Sequence, residues 1–418
     1  MKIAIRVDAS HRIGFGHLIR CRTLATALRD QGAEVRFVCR AHPGHGIAVL
    51  KADAFAVAAL PEPAAAGVGI ADADYAGWRG VSQPQDAFET LAVLGNWWPD
   101  WLIVDHYGLD RDWEQALRPY VSQILVIDDL ANRQHDCDLL LDQNYHAKNA
   151  ENCYDGLLPA HASTLLGPRH ALLRPEYAWY RRGCCVPIRR MGVGANSFAP
   201  NPMIEDRANE FAPTESCRLG RHRRGLRPRD GLVRRVLVFF GGTDPDNMTG
   251  RALSALDHPA LAHLELDLVV GANNPHHDVL AEQALHRPGT LLHGPRPHLA
   301  DLMSEADLAI GAGGTTTWER CCLGLPSLVV SIADNQRPAC TALAADGVIQ
   351  YLGHGDQVTV AALRDAILRI VSDADRLRAF TRNGEALVDG EGAVRVVDML
   401  LRRNGTAEPR RHGSERGS

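Results

Sequence analysis

A strand–turn–helix–strand pattern opens the chain and starts again near residue 233, and this repetition limits the folds that the sequence can adopt. The first copy has the apolar strand KIAIRVD, the glycine turn IGFGH, an amphipathic helix that ends at Gly32 and the strand EVRFVCR. The second copy begins with VRRVLVFFGGTDPDN. Because a crossover helix lets two successive strands run in the same direction, the pattern indicates parallel sheets.

Further short apolar runs predict the remaining strands. In the first half they lie at 101–106, 123–129 and 138–144, and each ends in polar residues. In the second half, LELDLVVGA, TLLHGP, DLAIGAGG and PSLVVSIA alternate with helical segments. Continuous apolar runs of this length are typical of buried parallel strands. We therefore predict an α/β fold of two Rossmann-like, doubly wound domains that face each other across a cleft, the GT-B architecture.

The same pattern divides the chain into parts. Helical periodicity from about 357 to 402 is expected to pack on the second domain. Between the domains, eight arginines and one aspartate lie within 218–235 with almost no aromatic residues between them. We interpret this segment as a solvated, disordered insertion rather than a nucleic-acid-binding arm. The predicted parts are an N-terminal domain at 1–180, an insertion or linker at 181–232, a C-terminal domain at 233–402 and a disordered tail at 403–418.

Charge and cysteine usage exclude several classes of partner. The 45 Lys and Arg residues against 50 Asp and Glu residues leave a net charge of −5, which provides no basic field for nucleic acid or anionic lipid. No stretch approaches the roughly 20 apolar residues of a membrane span, and the N-terminus has no cleavable signal pattern. The ten cysteines lack zinc-ligand spacing. We expect a cytoplasmic monomer with a small-molecule substrate and without a metal, a cofactor, a membrane or a nucleic acid as partner.

The first glycine turn predicts a loop that approaches an anionic ligand. Gly14, Phe15 and Gly16 bring the backbone close to a ligand where the first helix begins. A dinucleotide fingerprint is excluded, since Ile19 stands where a third glycine is needed and the second strand ends without an acidic residue. The chain also lacks a GxxxxGK[ST] phosphate loop.

His17 ends this turn, at the sheet edge where ligands bind in α/β folds. The residue is a candidate general base, and the alternative is a histidine that caps or packs against the start of the helix. Asp8, at the end of the first strand, either orients His17 or caps the loop. The sequence alone leaves both alternatives open.

Two further polar segments follow strands of the first domain. Tyr107 in DHYG is positioned to form a hydrogen bond with a sugar ring, and the alternative is that it has only a structural role. Asp128 and Asp129 are adjacent carboxylates, but no third ligand stands at a fixed spacing, so a metal site is not predicted.

The second domain has its own glycine turn in GAGGTTTWER, which opens a helix with hydroxyl side chains. Several amides and hydroxyls in one place suit a diphosphate, although threonines here can also simply cap the helix. Glu319, one turn into the helix, can accept both ribose hydroxyls of a nucleotide. The segment DNQ offers amides at the same edge or caps a turn. The candidate binding residues are Gly313, Gly314, Thr315, Thr316, Glu319, Asn335 and Gln336.

Taken together, these motifs resemble the UDP-2,4-diacetamido-2,4,6-trideoxy-β-L-altropyranose hydrolases of pseudaminic acid biosynthesis. The resemblance covers nearly all of 1–180 and 233–400. It implies a GT-B fold related to the N-acetylglucosaminyl transferase of peptidoglycan synthesis. The segments that carry it are RVDASHRIGFGHLIRCRTLA, WLIVDHYGLD, VIDDLANRQHDCDLLLDQN, LLGPRHALLRPEY, VFFGGTDPDN and GAGGTTTWERCCLGLPSLVVSIADNQ.

The resemblance implies a role for each matching residue. His17 is the base, Tyr107 and Asn335 line the sugar site, and Glu319 holds the uridine ribose. Arg174 in ALLRPEY matches a position near the ligand. The insertion departs from the family, which joins ALLRPE to the second domain by a short charged stretch.

The implied reaction is the attack of water on the anomeric carbon, with inversion and departure of UDP. A base must take the proton of the water as the new bond forms. Because a nucleoside diphosphate is a good leaving group, amides of the 311–317 turn can replace the acid that ordinary glycosidases need. The alternatives are a GT-B glycosyltransferase that uses an acceptor hydroxyl and a non-catalytic nucleotide-sugar-binding protein. The stereochemistry of the sugar rests on the resemblance alone.

Overall fold

The computed structural model describes residues 1–63, 75–146, 153–183 and 229–406. The predicted insertion at 181–232 lies outside the described residues except at its two ends, as does the predicted tail beyond residue 406. The described residues belong to two compact units. The first takes those within Met1–Asn144, Lys148–Leu172 and Glu391–Ser418, and the second takes those within Tyr145–Ala147 and Leu173–Gly390.

The first unit is built on a seven-stranded parallel sheet in the order β3-β2-β1-β4-β5-β6-β7. The apolar runs of the sequence form its inner strands, and most of their side chains are buried on both faces. Its strands are β1 (Lys2–Val7), β2 (Glu34–Arg40), β3 (Ala56–Leu60), β4 (Trp101–Asp105), β5 (Gln123–Ile127), β6 (Leu139–Asp142) and β7 (Ser163–Leu166).

Among the described residues, four α-helices lie between these strands, and a 3₁₀ turn at Tyr75–Arg79 precedes the third of them. The first helix buries Leu18, Leu24 and Leu28 against the sheet. Each buried leucine contributes about 1.5–3 kcal/mol through the apolar surface that it removes from water. The helices are α1 (Gly16–Asp30), α2 (Ile47–Ala52), α3 (Gln83–Leu94) and α4 (Arg111–Leu117).

The second unit repeats the plan with a six-stranded parallel sheet in the order β10-β9-β8-β11-β12-β13. Its strands are β8 (Arg235–Phe239), β9 (Glu265–Val269), β10 (Thr290–His293), β11 (Leu308–Ala312), β12 (Ser327–Ser331) and β13 (Gln350–His354). Its helices are α5 (Pro175–Arg181), α6 (Met248–Leu256), α7 (His277–His286), α8 (Ala300–Glu305), α9 (Thr316–Cys322), α10 (Arg337–Ala345), α11 (Val360–Val371) and α12 (Ala374–Leu387).

The last helix, α13 (Gly392–Thr406), belongs to the first unit and packs against α1. The sequence analysis expected the whole helical segment after about 357 to lie on the second domain, and the structure places only α11 and α12 there. The reason is the apolar face of α13, since Val396, Val397 and Leu400 join the same buried cluster as Leu24 of α1. Within the described residues, no helix combines the length and the apolar character that crossing a membrane requires.

Each sheet has a point where the strand order reverses, between β1 and β4 in the first unit and between β8 and β11 in the second. Loops after these strands leave the sheet on opposite sides, and the crevice between them is where open α/β sheets bind ligands. The turn that ends in His17 follows β1, and the turn that begins at Gly313 follows β11. The strand order therefore places each predicted loop at the switch point of its own sheet.

Candidate functional site

The loop after β1 is held in shape by its own backbone. Ser10 accepts hydrogen bonds from the N–H groups of Ile13 and Gly14, through its hydroxyl and its carbonyl respectively. Gly14 has a φ of 75°, a left-handed conformation that glycine adopts without steric cost. The side chain of Phe15 packs against the core of the first unit, and Gly16 is exposed. The turn thus delivers His17 at the start of α1.

His17 is paired with Asp105, the last residue of β4. Its Nδ1 lies 2.6 Å from Oδ1 of Asp105, which is fully buried. Arg20, one turn further along α1, donates from Nε and Nη2 to the same carboxylate, each at 2.7 Å. Residues three apart on a helix lie on one face, so His17 and Arg20 reach the carboxylate together. The three side chains form a buried cluster that we call the His17 cluster.

The charge of Asp105 fixes the protonation pattern of this cluster. Burial alone would raise the pKa of Asp105, but the guanidinium of Arg20 and the ring of His17 hold it well below its usual value. The carboxylate therefore only accepts, and Nδ1 of His17 carries the proton that it donates. This leaves Nε2 with its lone pair in the neutral ring, the arrangement in which a histidine accepts a proton from a bound nucleophile.

Aromatic rings pack against His17, whose side chain is 12% exposed. The ring of Tyr107 stands edge-on at 4.4 Å between centroids, and that of Trp78 at 6.2 Å. Tyr75 contacts both aromatic neighbours, at 5.0 Å and 4.9 Å. The hydroxyl of Tyr107 bonds to Asp129, and burial raises the pKa of this tyrosine well above its usual value. Tyr107 therefore presents its ring, rather than a free hydroxyl, beside His17.

Asp8 does not contact His17 in this structure. It forms a two-point ion pair with Arg6, at 2.5 and 2.8 Å, and accepts the backbone N–H of Arg40 at 2.7 Å. Nε2 of His106 lies 3.3 Å from the same carboxylate. The carboxylate that contacts His17 is therefore Asp105 and not Asp8. Asp8 belongs to a buried ion network with Arg6 and His106.

In the second unit the glycine turn after β11 contacts the DNQ segment. Gly313 donates its N–H to the carbonyl of Val330, so this amide is already used. A Cβ at Gly314 would lie 3.6 Å from Nε2 of Gln336. The side chain of Gln336 also accepts the N–H of Ile332 at 3.0 Å. The structure therefore brings Gly313 and Gly314 together with Gln336, as the sequence analysis expected of residues at one sheet edge.

Thr315, Thr316 and Asn335 are the other predicted binding residues of the glycine turn and the DNQ segment. Thr315 and Thr316 are half-buried where α9 begins, and Asn335 lies in a 3₁₀ turn at Asp334–Gln336. The first turn of a helix leaves N–H groups without an intrahelical acceptor. The amides of Gly314, Thr315 and Thr316 are therefore the donors that this turn can offer to a ligand.

Glu319 lies on α9 among residues of α5. The hydroxyl of Tyr177 on α5 and the guanidinium of Arg174 are both close enough to act on the charge of its carboxylate. Burial raises the pKa of Glu319 to about 7, against the opposing effects of Tyr177, Arg174 and Arg320. Arg174 and Glu319, predicted separately from two distant motifs, are thus brought together in the second unit.

The loop after β8 is a third glycine turn, and two of its residues adopt left-handed backbone conformations. Asp244 has a φ of 40° and Asn247 a φ of 51°, both in the left-handed region. The buried carboxylate of Asp244 accepts the N–H groups of Met248 and Thr249 at 2.8 and 2.9 Å. Asp244 therefore caps α6 and stabilises the strained loop.

Three residues around His17 were not predicted from the sequence: Asp105, Arg20 and Trp78. Asp105 stands in the DHYG motif, but the only partner predicted for His17 was Asp8. A usable signal existed, since His17 and Arg20 are spaced to share one helix face and β4 ends in an acidic residue. Trp78 follows residues that the structure does not describe, and no sequence periodicity pointed to it.

Comparisons with known proteins support the fold more strongly than the reaction. No family model matches the chain. It is 32% identical over 168 residues to the spore coat polysaccharide biosynthesis protein SpsG of Bacillus subtilis, a match that covers 40% of this chain and 50% of the relative. It is 28% identical over 178 residues to the UDP-2,4-diacetamido-2,4,6-trideoxy-β-L-altropyranose hydrolase of Campylobacter jejuni. This match covers 42% of this chain and 53% of the relative. The chain thus spans about half the length of these curated relatives.

Solved structures resemble nearly the whole chain. MurG of Acinetobacter baumannii matches with a TM-score of 0.59 at 14% identity, over 96% of this chain and 99% of that one. The chain has the GT-B fold. A UDP-GlcNAc 2-epimerase from Neisseria meningitidis, solved with UDP-GlcNAc, matches with a TM-score of 0.58 at 12% identity. The match covers 96% of this chain and 100% of that one. At such identities the likeness to the solved structures describes the fold alone.

Proposed function

We propose that the protein is a hydrolase that removes UDP from UDP-2,4-diacetamido-2,4,6-trideoxy-β-L-altropyranose with inversion at the anomeric carbon. The observation that carries the proposal is the 2.6 Å pair of Nδ1 of His17 with Oδ1 of Asp105, which directs Nε2 of the neutral ring away from the carboxylate. The substrate is taken from the similarity to the Campylobacter jejuni hydrolase. In this proposal the reaction belongs to the biosynthesis of pseudaminic acid.

In this mechanism the first unit supplies the base. Nε2 of His17 takes a proton from water as the oxygen attacks the anomeric carbon. Asp105 holds the ring in the required tautomer and stabilises the imidazolium that forms, while Arg20 keeps Asp105 ionised. The rings of Tyr107 and Trp78 shield one side of His17 and offer apolar faces to a deoxy sugar. Gly14, Phe15 and Gly16 contribute backbone contacts to the sugar nucleotide.

The second unit supplies the groups that hold the leaving group. Main-chain N–H groups of Gly314, Thr315 and Thr316 stabilise the charge that builds on the diphosphate as the glycosidic bond breaks. The carboxylate of Glu319 accepts the ribose hydroxyls, and Arg174 lies beside it. Asn335 and Gln336 contact the sugar. Since UDP leaves as a stable anion, a second catalytic carboxylate is not required.

A GT-B glycosyltransferase is the second candidate. The same His17 and Asp105 pair can deprotonate an acceptor hydroxyl as well as water, and the glycosyltransferases among the solved neighbours share the fold. A nucleotide-sugar-binding protein without activity is a third. UDP release from purified UDP-diacetamido-sugars, with and without added acceptors, separates these functions. Hydrolysis predicts UDP release in water alone, transfer predicts release only with an acceptor, and a binding protein releases none.

A further inference from the structure

The segment VIDDLANRQHD, to which the proposed function gives no role, contacts the turn that carries Tyr107. Arg133 lies in this segment, after β5, and its side chain is 15% exposed. Its Nε donates to the carbonyl of Leu109 at 2.9 Å, and its Nη2 lies 3.5 Å from the carbonyl oxygen of His106. These two carbonyls lie on either side of Tyr107 in the chain. One guanidinium therefore spans the turn on which Tyr107 stands.

Asp128 anchors the same guanidinium. Its Oδ1 lies 2.7 Å from Nη1 of Arg133, and the carboxylate is fully buried. Its Oδ2 accepts the N–H groups of Leu130 and Ala131, at 3.3 and 3.0 Å. Ala131 has a φ of 48°, a left-handed conformation that is strained for a residue other than glycine. Asp128 thus both stabilises the strained loop before Arg133 and pairs with its side chain.

A second arginine binds the turn of Tyr107. Nη1 of Arg79 donates to the carbonyl of Gly108. A Cβ at Gly108 would overlap the carbonyl oxygen of Tyr75, so only a glycine allows the backbones to approach this closely. The carbonyls of His106, Gly108 and Leu109 thus all contact arginine side chains.

The turn determines where the ring of Tyr107 stands. That ring is edge-on to the ring of His17, at 4.4 Å between centroids, and it is buried. Hydrogen bonds from the N–H of Gly108 to Nδ1 of His106, and from the N–H of Leu109 to the carbonyl of His106, set the internal shape of the turn. The contacts of Arg133 join this turn to the loop after β5.

We propose that Arg133 is a positioning residue for the proposed reaction, which fixes the turn of Tyr107 and so holds the Tyr107 ring beside His17. The inference rests on the proposed function, in which His17 is the base and the ring of Tyr107 faces the sugar. A guanidinium suits this task because its planar fork donates to several acceptors at fixed angles. Arg133 acts only through Tyr107.

The first test measures the position of Tyr107 without using the reaction. Full-length protein labelled with 3-fluorotyrosine gives fluorine NMR signals, and the signal that Tyr107→Phe removes belongs to Tyr107. We expect this signal to shift or broaden in Arg133→Ala. Arg118→Ala is the matched control and leaves the signal in place, since the guanidinium of Arg118 is 19% exposed and binds Asp136 and Asp138 instead. An unchanged signal in Arg133→Ala, or an equal shift in Arg118→Ala, overturns the inference.

The second test determines whether Arg133 acts through Tyr107. We expect Arg133→Ala to lower kcat/KM for UDP release by about 10²-fold, the loss that a misplacement of about 1 Å produces. In a Tyr107→Ala background the same substitution is expected to change kcat/KM by less than about twofold, because the ring that Arg133 positions is absent. Equal losses in both backgrounds would show that Arg133 acts elsewhere, and they would overturn the inference.

The two measurements separate this inference from the proposed function. A wild-type protein that releases no UDP refutes the proposed function, while the fluorine signal still decides whether Arg133 fixes Tyr107. Thermal melting verifies that Arg133→Ala is folded, and Arg133→Lys replaces it if it is not. Lysine keeps a positive charge beside Asp128 but presents a single nitrogen that cannot span two carbonyls, so the same outcomes decide the inference.

Discussion

Nδ1 of His17 lies 2.6 Å from Oδ1 of Asp105, although the two residues are 88 positions apart in the sequence. The pair exists because β1 and β4 are neighbours in the sheet, with Asp105 in register with Val7. A parallel pair of strands thus delivers a loop histidine and a strand-end carboxylate to the same edge.

Asp105→Asn is expected to lower kcat by about 10²–10⁴-fold, the range for a general base that has lost its function. The amide can donate an N–H to Nδ1 of His17, which places the ring proton on Nε2, and it lacks the charge that stabilises the imidazolium, so the ring no longer acts as a base. Steady-state kinetics of UDP release measure the effect. KM for the sugar nucleotide is expected to change little, because Asp105 is buried away from solvent.

Asp129→Asn is the matched control for this variant. Asp129 accepts from Nη1 of Arg20 at 3.1 Å but does not bond to His17. Removing one partner of a buried ion pair costs about 3–5 kcal/mol, so both variants are compared for stability as well as activity. A kcat for Asp105→Asn that falls no further than that of Asp129→Asn would contradict the orienting role.

The first unit is expected to lose stability in acid through Asp86. Two arginines, Arg6 and Arg40, donate to this buried carboxylate at 2.7–3.1 Å. Burial opposes the charge, but these partners lower the pKa of Asp86 from 3.8 to about 2. A lowered pKa stabilises the folded state above the unfolded value, and this contribution is lost as the pH falls from about 4 to about 2. Its size is about 2 kcal/mol.

Chemical denaturation at a series of pH values measures this contribution. The difference in unfolding free energy between the wild type and Asp86→Asn is expected to be largest above pH 4 and to shrink toward pH 2. The exposed Glu62 belongs to the same unit, and Glu62→Gln is expected to keep the pH dependence of the wild type. A difference that stays constant with pH would refute the assignment to Asp86.

Gly313→Ala is expected to destabilise the second unit by about 1–3 kcal/mol, the range for overpacking a core. A Cβ at this position would overlap Sγ of the buried Cys340. Denaturant unfolding gives the free energy. In Gly314→Ala the new Cβ meets only Nε2 of Gln336, at an ordinary 3.6 Å, so this variant is the matched control and stays within about 0.5 kcal/mol.

The double variant Gly313→Ala/Cys340→Ala tests whether the contact with the sulfur of Cys340 causes the destabilisation of Gly313→Ala. Removing the sulfur relieves the contact, so the effects of the two substitutions are expected to be non-additive. Strictly additive free energies would show that the sulfur is not what excludes a side chain at Gly313.

Residues 184–228 are expected to be dispensable for folding. Arg181, just before them, donates to the carbonyl of Cys322, and Arg229, just after them, donates to the carbonyl of Leu323. Both flanks therefore belong to the second unit and are bound to adjacent carbonyls at the end of α9. A Gly/Ser linker of about 12 residues in place of 184–228 can join them.

Shortening this connection reduces the entropy of loop closure, so the variant is expected to be as stable as the full chain or about 1 kcal/mol more stable. Thermal melting and UDP binding measure the result. A variant that fails to fold would show that the segment contributes to the second unit.

The sheets were largely predictable because their inner strands are continuous apolar runs. The strands without a prediction, β3, β7 and β13, all lie at sheet edges. An edge strand is buried less completely, and AVAAL in β3 has few β-branched residues, so the pattern that identifies a central strand is weak there. The position of α13 was also unpredictable, since its amphipathic face fits any exposed apolar surface.

For the candidate site, the sequence identified individual residues but not their partners. His17 could be predicted because a glycine turn before a helix is a local signal. The pairing with Asp105 depends on which strand lies next to β1, and strand order is a property of the whole sheet. The same holds for Tyr107, whose hydroxyl bonds to Asp129 from a neighbouring loop instead of remaining free.

The most direct test of the proposed reaction is the anomeric configuration of the sugar that is first released. Proton NMR during the first minutes of turnover of the UDP-linked diacetamido-trideoxy sugar distinguishes the two anomers before they equilibrate in water. Direct attack by water activated by His17 predicts the inverted anomer as the initial product, and its formation slows about 10²–10⁴-fold in His17→Ala. Initial release of the retained anomer, or an unchanged rate in His17→Ala, would contradict the mechanism.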